Sequence, residues 1–129
     1  MSSEKNELDK SKQQAHFWLD YSRQLSNTIR YVEALAAIER AVALDETSTE
    51  AQYVRGTCLA MLARYDEALK NFDEALRLDE KYVPAWDGKA WVLGIMGKKE
   101  EALAAINRAL ELDPDYFEAL KRKKRLEAM

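Results

Sequence analysis

"EALAAI" occupies Glu33–Ile38 and recurs letter for letter at Glu101–Ile106; midway, at Glu67–Phe72, stands "EALKNF". The three starts are 34 residues apart each time. A fixed internal period of this size signals a repeat architecture, in which each unit buries its apolar face only against its neighbours. Alignment on the triplets gives three units without gaps, residues 15–48, 49–82 and 83–116. Further columns agree: Ala41, Ala75 and Ala109; Leu44, Leu78 and Leu112; Asp45, Asp79 and Asp113; Leu25, Leu59 and Leu93.

Each unit reads as two helices. Ala34, Ile38 and Ala41 fall at i, i+4 and i+7, one stripe of a helix, as do Ala68, Phe72, Ala75 and Ala102, Ile106, Ala109. Two alanines flanking one bulky residue let a neighbouring helix approach around a single knob. In the first halves, Ser22, Gly56 and Ala90 share a column of small side chains, as a close helix crossing requires. Thr47 and Glu50 have capping-box spacing, Pro84 suits a helix start, and Gly97 separates the halves of the third unit. The expected fold is an all-α solenoid of three helix-turn-helix units. Residues 117–129, "FEALKRKKRLEAM", supply a capping helix that covers the last unit with Phe117, Leu120 and Lys124. Residues 1–14 are a polar tail or an extension of the first helix.

The pattern resembles the tetratricopeptide repeat family, whose units have this length. The third unit carries Trp86, Ala90, Leu93, Gly97, Ala102, Ile106, Ala109 and Pro114. The second keeps Gly56, Leu59, Tyr65, Ala68, Phe72 and Ala75, with Gln52 at the tryptophan position and Glu80 at the proline position. The first keeps Trp18, Leu25, Tyr31, Ala34, Ile38 and Ala41, with Ile29 at the usual glycine turn. Arg55 and Lys89 stand where Leu is common, an arrangement that buries their stems and leaves their charges wet. The resemblance implies a binding module whose first helices line a concave groove for an extended or helical peptide.

Composition narrows the function classes. Among 129 residues, 47% are hydrophobic and 33% charged, and 20 Lys and Arg face 23 Asp and Glu for a net charge of −3. That balance gives no whole-molecule attraction to nucleic acid, and the longest apolar run, Ala90–Met96, is too short for a membrane span. A soluble cytoplasmic protein is the plain reading. One histidine, His16, and one cysteine, Cys58, leave no His-paired nucleophile or metal cluster. Both read as structural, His16 on a helix surface and Cys58 buried. Gly94 and Gly97 enclose two residues where a phosphate loop needs four. The chain reads as non-catalytic, with no cofactor and no metal.

What remains is the arc of the first helices that packing leaves unexplained. It comprises Leu19, Arg23 and Asn27 in the first unit, Tyr53, Thr57 and Met61 in the second, and Asp87, Trp91 and Ile95 in the third. On the capping helix, Lys121 and Arg125 continue the arc, with Arg122 at its border. Tyr53, Met61, Trp91 and Ile95 form an apolar strip, and the cations suit acidic groups on the same ligand. Family members that grip acidic chaperone C-termini use Lys, Asn and Arg at positions held here by Leu19, Arg23, Val54, Pro84 and Gly88, and none matches. The expected partner is a protein or peptide with an apolar segment that can carry acidic residues, bound by an adaptor, assembly factor or chaperone-like module. The alternatives are self-association into a homo-oligomer, or service as the interaction domain of a larger enzyme or regulator.

Overall fold

A computed structural model describes residues 2–129. Seven helices follow one another: α1 (Ser2–Asn27), α2 (Tyr31–Leu44), α3 (Thr49–Met61), α4 (Tyr65–Leu78), α5 (Val83–Ile95), α6 (Lys99–Leu112) and α7 (Phe117–Glu127). The pairs α1–α2, α3–α4 and α5–α6 are hairpins, and α7 packs on α5 and α6. Odd-numbered helices touch the next odd-numbered helix, whereas the even-numbered ones meet only odd-numbered neighbours. The solenoid therefore curves toward α1, α3, α5 and α7, which form its inner wall. Residues 3–14 belong to α1, where Ser11 Oγ donates to the Leu44 carbonyl at 3.3 Å.

The repeated columns have local causes. Ile29, Ala63 and Gly97 share a column, and all three take a left-handed backbone with φ of 61°, 60° and 78°. The residue after each donates its N–H back over the turn, Arg30 to Leu25, Arg64 to Leu59 and Lys98 to Leu93, each at 2.9 Å. That bond satisfies carbonyls freed at the end of the first helix. Asp45, Asp79 and Asp113 close the other turn: each Oδ1 accepts the N–H two residues on, at 3.0, 3.0 and 3.1 Å. Ser48, not Thr47, caps α3, accepting from the Ala51 N–H at 3.1 Å. Thr47 instead donates to Asp45, so the capping box expected there does not form.

Between the helices, Ile38, Phe72 and Ile106 are fully buried knobs. Phe72 is the tightest. A methyl group added at Gly56 on α3 or at Gly88 on α5 would lie 2.8 Å from the Phe72 ring. Ser22 serves its small-residue column twice, fitting the crossing and donating to the Ala34 carbonyl at 2.7 Å.

The capping helix turns a different face inward than expected. Ala119 and Leu126 are buried, whereas Phe117 is 63% exposed, Leu120 is 46% exposed and Lys124 is exposed. The reason is positional. Leu120 and Lys124 continue the Trp86 and Ala90 columns, which pack against the second helix of their own hairpin, and α7 has no such partner in the structure. Ala119 continues the column of Ala51 and Ala85, which faces the preceding unit.

These contacts set opposite expectations for substitutions at turn and crossing. Ile29→Gly relieves a β-branched residue at positive φ and should raise the unfolding free energy by about 1 kcal/mol. Gly56→Ala and Gly88→Ala should each lower it by about 1–2 kcal/mol, because overpacking against Phe72 exceeds the helical gain of Ala over Gly. Urea unfolding followed by circular dichroism checks both. A neutral Gly56→Ala would show that the ring is not confined.

Candidate functional site

Some of the expected groove residues line the inner wall, in two depressions rather than one strip. The first, of about 240 Å³, is lined by Arg23, Ser26, Asn27, Tyr53, Val54 and Thr57 from α1 and α3. The second, of about 290 Å³, lies between α5 and α7 and is lined by Trp91, Ile95, Arg122, Arg125, Leu126 and Met129 among others. Met61 is 43% exposed and borders neither. Lys121 stays outside as well, its Nζ lying 4.9 Å from the Phe117 ring centre. Leu19 is no groove residue: at 4% exposed it belongs to the core, beside Ser48 and Ala51 at the start of α3.

Between the depressions stands a wall of aromatic and charged groups. Tyr53 is half-buried, its ring 5.9 Å from Phe72 and 5.7 Å edge-on from Tyr82. Thr57 donates back to the Tyr53 carbonyl at 3.1 Å. Burial pushes the phenols of Tyr53 and Tyr82 above their ordinary range. Tyr116 is pushed up to about 12, first by burial and then by the nearby Tyr53, Asp87, Glu118 and Tyr82. All three remain neutral hydrogen-bonding groups at physiological pH. Tyr82 and Tyr116 sit at the positions just before α5 and α7, and reading helix faces alone misses them. Their signal is a column outside the helices, in which Ser48, Tyr82 and Tyr116 align.

Charges in the groove are already partnered in two places. Arg23 pairs with Glu50 across α1 and α3, both partly exposed. Asp87, only 7% exposed, accepts from Arg122 Nε at 2.7 Å and Nη2 at 3.2 Å. The Arg122 guanidinium also lies 5.9 Å from the Trp91 ring centre. Asp87 and Arg122 are thus a bidentate strut joining α5 to α7 rather than free ligand-binding charges. Trp91 is half-buried beside this strut, with one side open to the second depression.

Two family matches cover residues 49–82 and 83–116 and carry the description "Tetratricopeptide repeat". The chain belongs to the tetratricopeptide repeat family. Its first unit, outside the match, folds into the same hairpin with Ile29 at the turn. No curated protein matches the chain. Among solved structures, it is similar to the Arabidopsis OM64 tetratricopeptide domain, with 19% identity, a TM-score of 0.88, and coverage of 92% of this chain and 98% of that one. The first tetratricopeptide domain of Spaghetti (RPAP3), solved bound to the HSP90 peptide SRMEEVD, is 21% identical with a TM-score of 0.86, covering 91% of this chain and 93% of that one. YrrB, described as a tetratricopeptide protein with an unusual peptide-binding site, is 29% identical with a TM-score of 0.81, covering 85% of this chain and 57% of that one.

Other reactive groups in this tetratricopeptide chain lie away from the groove or are inert. His16 is exposed and 3.4 Å from Asp20. Cys58 is buried, 3.6 Å from Ser26 Oγ, and burial pushes its thiol up. Among the described residues no group of three or more His, Cys, Asp or Glu could hold a metal, and no helix is long and apolar enough to cross a membrane.

The strut yields a prediction that separates the two neighbouring arginines. Arg122→Ala strands the Asp87 carboxylate in a nearly buried position and should destabilise the protein by about 3 kcal/mol. Arg125→Ala, with no ion pair to break, should change stability by less than about 0.5 kcal/mol. Thermal and urea unfolding of the two variants checks the contrast.

Proposed function

We propose that the protein is a non-catalytic interaction module that binds a segment of another protein along its inner wall, as an adaptor, assembly factor or chaperone-like factor in the cytoplasm. The observation that carries the reading is the pair of open depressions, one floored by Tyr53 and the other by Trp91 and Ile95, on a wall that repeat packing does not require to be apolar. Amphipathic rings at partly desolvated positions are what binding hot spots are made of. Arg125 and the exposed side of Arg23 supply positive charge at the edges, so an apolar segment flanked by acidic residues fits best. Leu19, Val54 and Gly88 are buried and offer no side-chain donor to a carboxylate. The ligand's grip therefore rests on the rings, unlike a clamp built on Lys and Asn. We assign residues 15–129 to the module, with residues 1–14 as the extension of its first helix.

A second reading is favoured by the solenoid's first face. Phe17 is 62% exposed and Tyr21 42%, with their rings stacked 6.4 Å apart. Phe17 continues the column whose later members, Ala51, Ala85 and Ala119, are buried against a preceding unit. Self-association through this end would cover it. Light scattering over a hundredfold concentration range separates the two: a constant monomer mass removes the self-association reading.

Peptides selected from a displayed random library provide the test of the groove. Calorimetric titration of a selected peptide into Trp91→Ala and Tyr53→Ala should show affinity lowered at least about five-fold, equivalent to about 1 kcal/mol, with helical circular dichroism retained. Unchanged affinity in both folded variants would sink the groove reading.

A further inference from the structure

On the side of the hairpins away from the groove, the middle unit departs from its neighbours at two positions together. Gln52 stands in the column of Trp18 and Trp86, and Asn71 stands in the column of Ala37 and Ala105. The two are bonded: Asn71 Nδ2 donates to Gln52 Oε1 at 2.8 Å, with both side chains over nine-tenths buried. Around them a cleft of about 550 Å³ opens among the end of α2, α3 and α4. The corresponding cleft of the third unit, where Trp86 forms one wall, is about 370 Å³. The larger cleft contains none of the groove residues.

The third unit shows what the vacant position holds when it is filled. Trp86 Nε1 donates to the Glu80 carbonyl at 2.8 Å, and Lys89 Nζ lies 5.8 Å from the ring. One unit earlier, the counterparts of Glu80 and Lys89 are Glu46 and Arg55, and both line the cleft with no ring between them. Among the described residues Arg55 Nε is buried without a hydrogen-bond partner, and the guanidinium makes one long ion pair, to Glu39 at 3.8 Å, with the Glu67 carboxylate near enough to feel its charge. A buried donor left unpaired is costly, and a cation beside an open cleft of ligand size is placed to stack on an aromatic face. The ion pairs nearby are closed among themselves: Glu67 with Arg64, and Glu74 with Arg77.

We propose that this cleft is a second binding site, which takes a planar aromatic ring bearing an N–H, an indole or a close relative. The ring lies against Arg55, its N–H points to the Glu46 carbonyl, and its edge rests over the Gln52–Asn71 amides. The same chemistry is offered by the tryptophan side chain of a partner protein and by a free heterocycle.

Titration of the ¹⁵N-labelled protein with indole tests the site. The side-chain amide signals of Gln52 and Asn71 should shift saturably. Benzofuran, which keeps the bicyclic shape of indole but lacks the N–H, should bind at least about five-fold more weakly, the effect of one hydrogen bond. The double substitution Gln52→Trp with Asn71→Ala restores the neighbours' pair and fills the space with the protein's own ring, so it should abolish the indole-induced shifts of the cleft's backbone amides, Thr47, Arg55 and Lys70, which the wild-type protein shows and the variant still reports. Arg55→Met, which keeps the stem and removes the cation, should weaken them. N-acetyl-tryptophanamide that binds alongside indole assigns the site to a partner's side chain; binding of indole alone assigns it to a small heterocycle. Absence of saturable shifts at Gln52 and Asn71, or indole binding unchanged in both variants, overturns the proposal.

Discussion

The spacing of this solenoid depends on one ring. Phe72 leaves α4 and lodges between the backbones of α3 and α5, where both neighbours are glycine because there is no room for a methyl group. Its equivalents in the other hairpins are smaller, Ile38 and Ile106, and their facing positions are larger. Ile38 has Ser22 and Val54 in the places of Gly56 and Gly88, and Ile106 has Ala90 and Arg122. The volume at each crossing is balanced between knob and wall, as close packing demands. A larger knob with alanine or serine walls would push successive hairpins apart and change the curvature of the inner wall.

That balance reaches the groove. The column that is glycine beside Phe72 becomes Arg122 in the last helix, where the side chain lies at the edge of the packing and can turn outward. Arg122 turns toward Asp87 and Trp91, closing one end of the inner wall with a bidentate pair. A position that belongs to the scaffold in the middle of the array thus shapes the binding surface at its end. The pair also limits the chemistry on offer. With Asp87 and Arg122 committed to each other and Glu50 to Arg23, the open sides of the Tyr53 and Trp91 rings, whose other sides pack on the core, are the wall's main surface left to a partner.

The scaffold was legible in the sequence because its determinants repeat. A 34-residue ruler locates every knob, both kinds of turn and the crossing columns from residue identity alone. Side chains that act once per chain escape it. Leu19 shares a column with Tyr53, Asp87 and Lys121, and its depth is set by the start of α3 packing over it, which no column reveals. On α7 the column pattern marks two apolar faces and cannot say which one is used; the contacts of α7 with α5 and α6 decide for Ala119 and Leu126. Tyr82 and Tyr116 reach the groove from the turns before their helices, where helical periodicity has nothing to say. The edge-on contact of Tyr82 with Tyr53 is likewise one between a turn and a helix, which no helical column encodes.

Departures from the repeat pattern are of two kinds, and their physics differs. A single departure such as Ile29 at a left-handed turn carries its cost locally, with no other residue changed to relieve it. A paired departure such as Gln52 with Asn71 is self-compensating, since each amide satisfies part of the other's hydrogen-bonding need in a nearly buried place. Yet the compensation is incomplete. Two amides joined by one bond retain a further donor group and an acceptor, and the neighbouring Arg55 Nε has lost the aromatic surround its column has at Lys89. A pair selected only to fill the space of an indole and a methyl group would leave a tight, apolar joint. This one leaves a polar floor under an open cleft, where water reaches the amide groups the pair does not satisfy and, among the described residues, the unpaired buried atom is Arg55 Nε, whose cost a stacking ligand would offset.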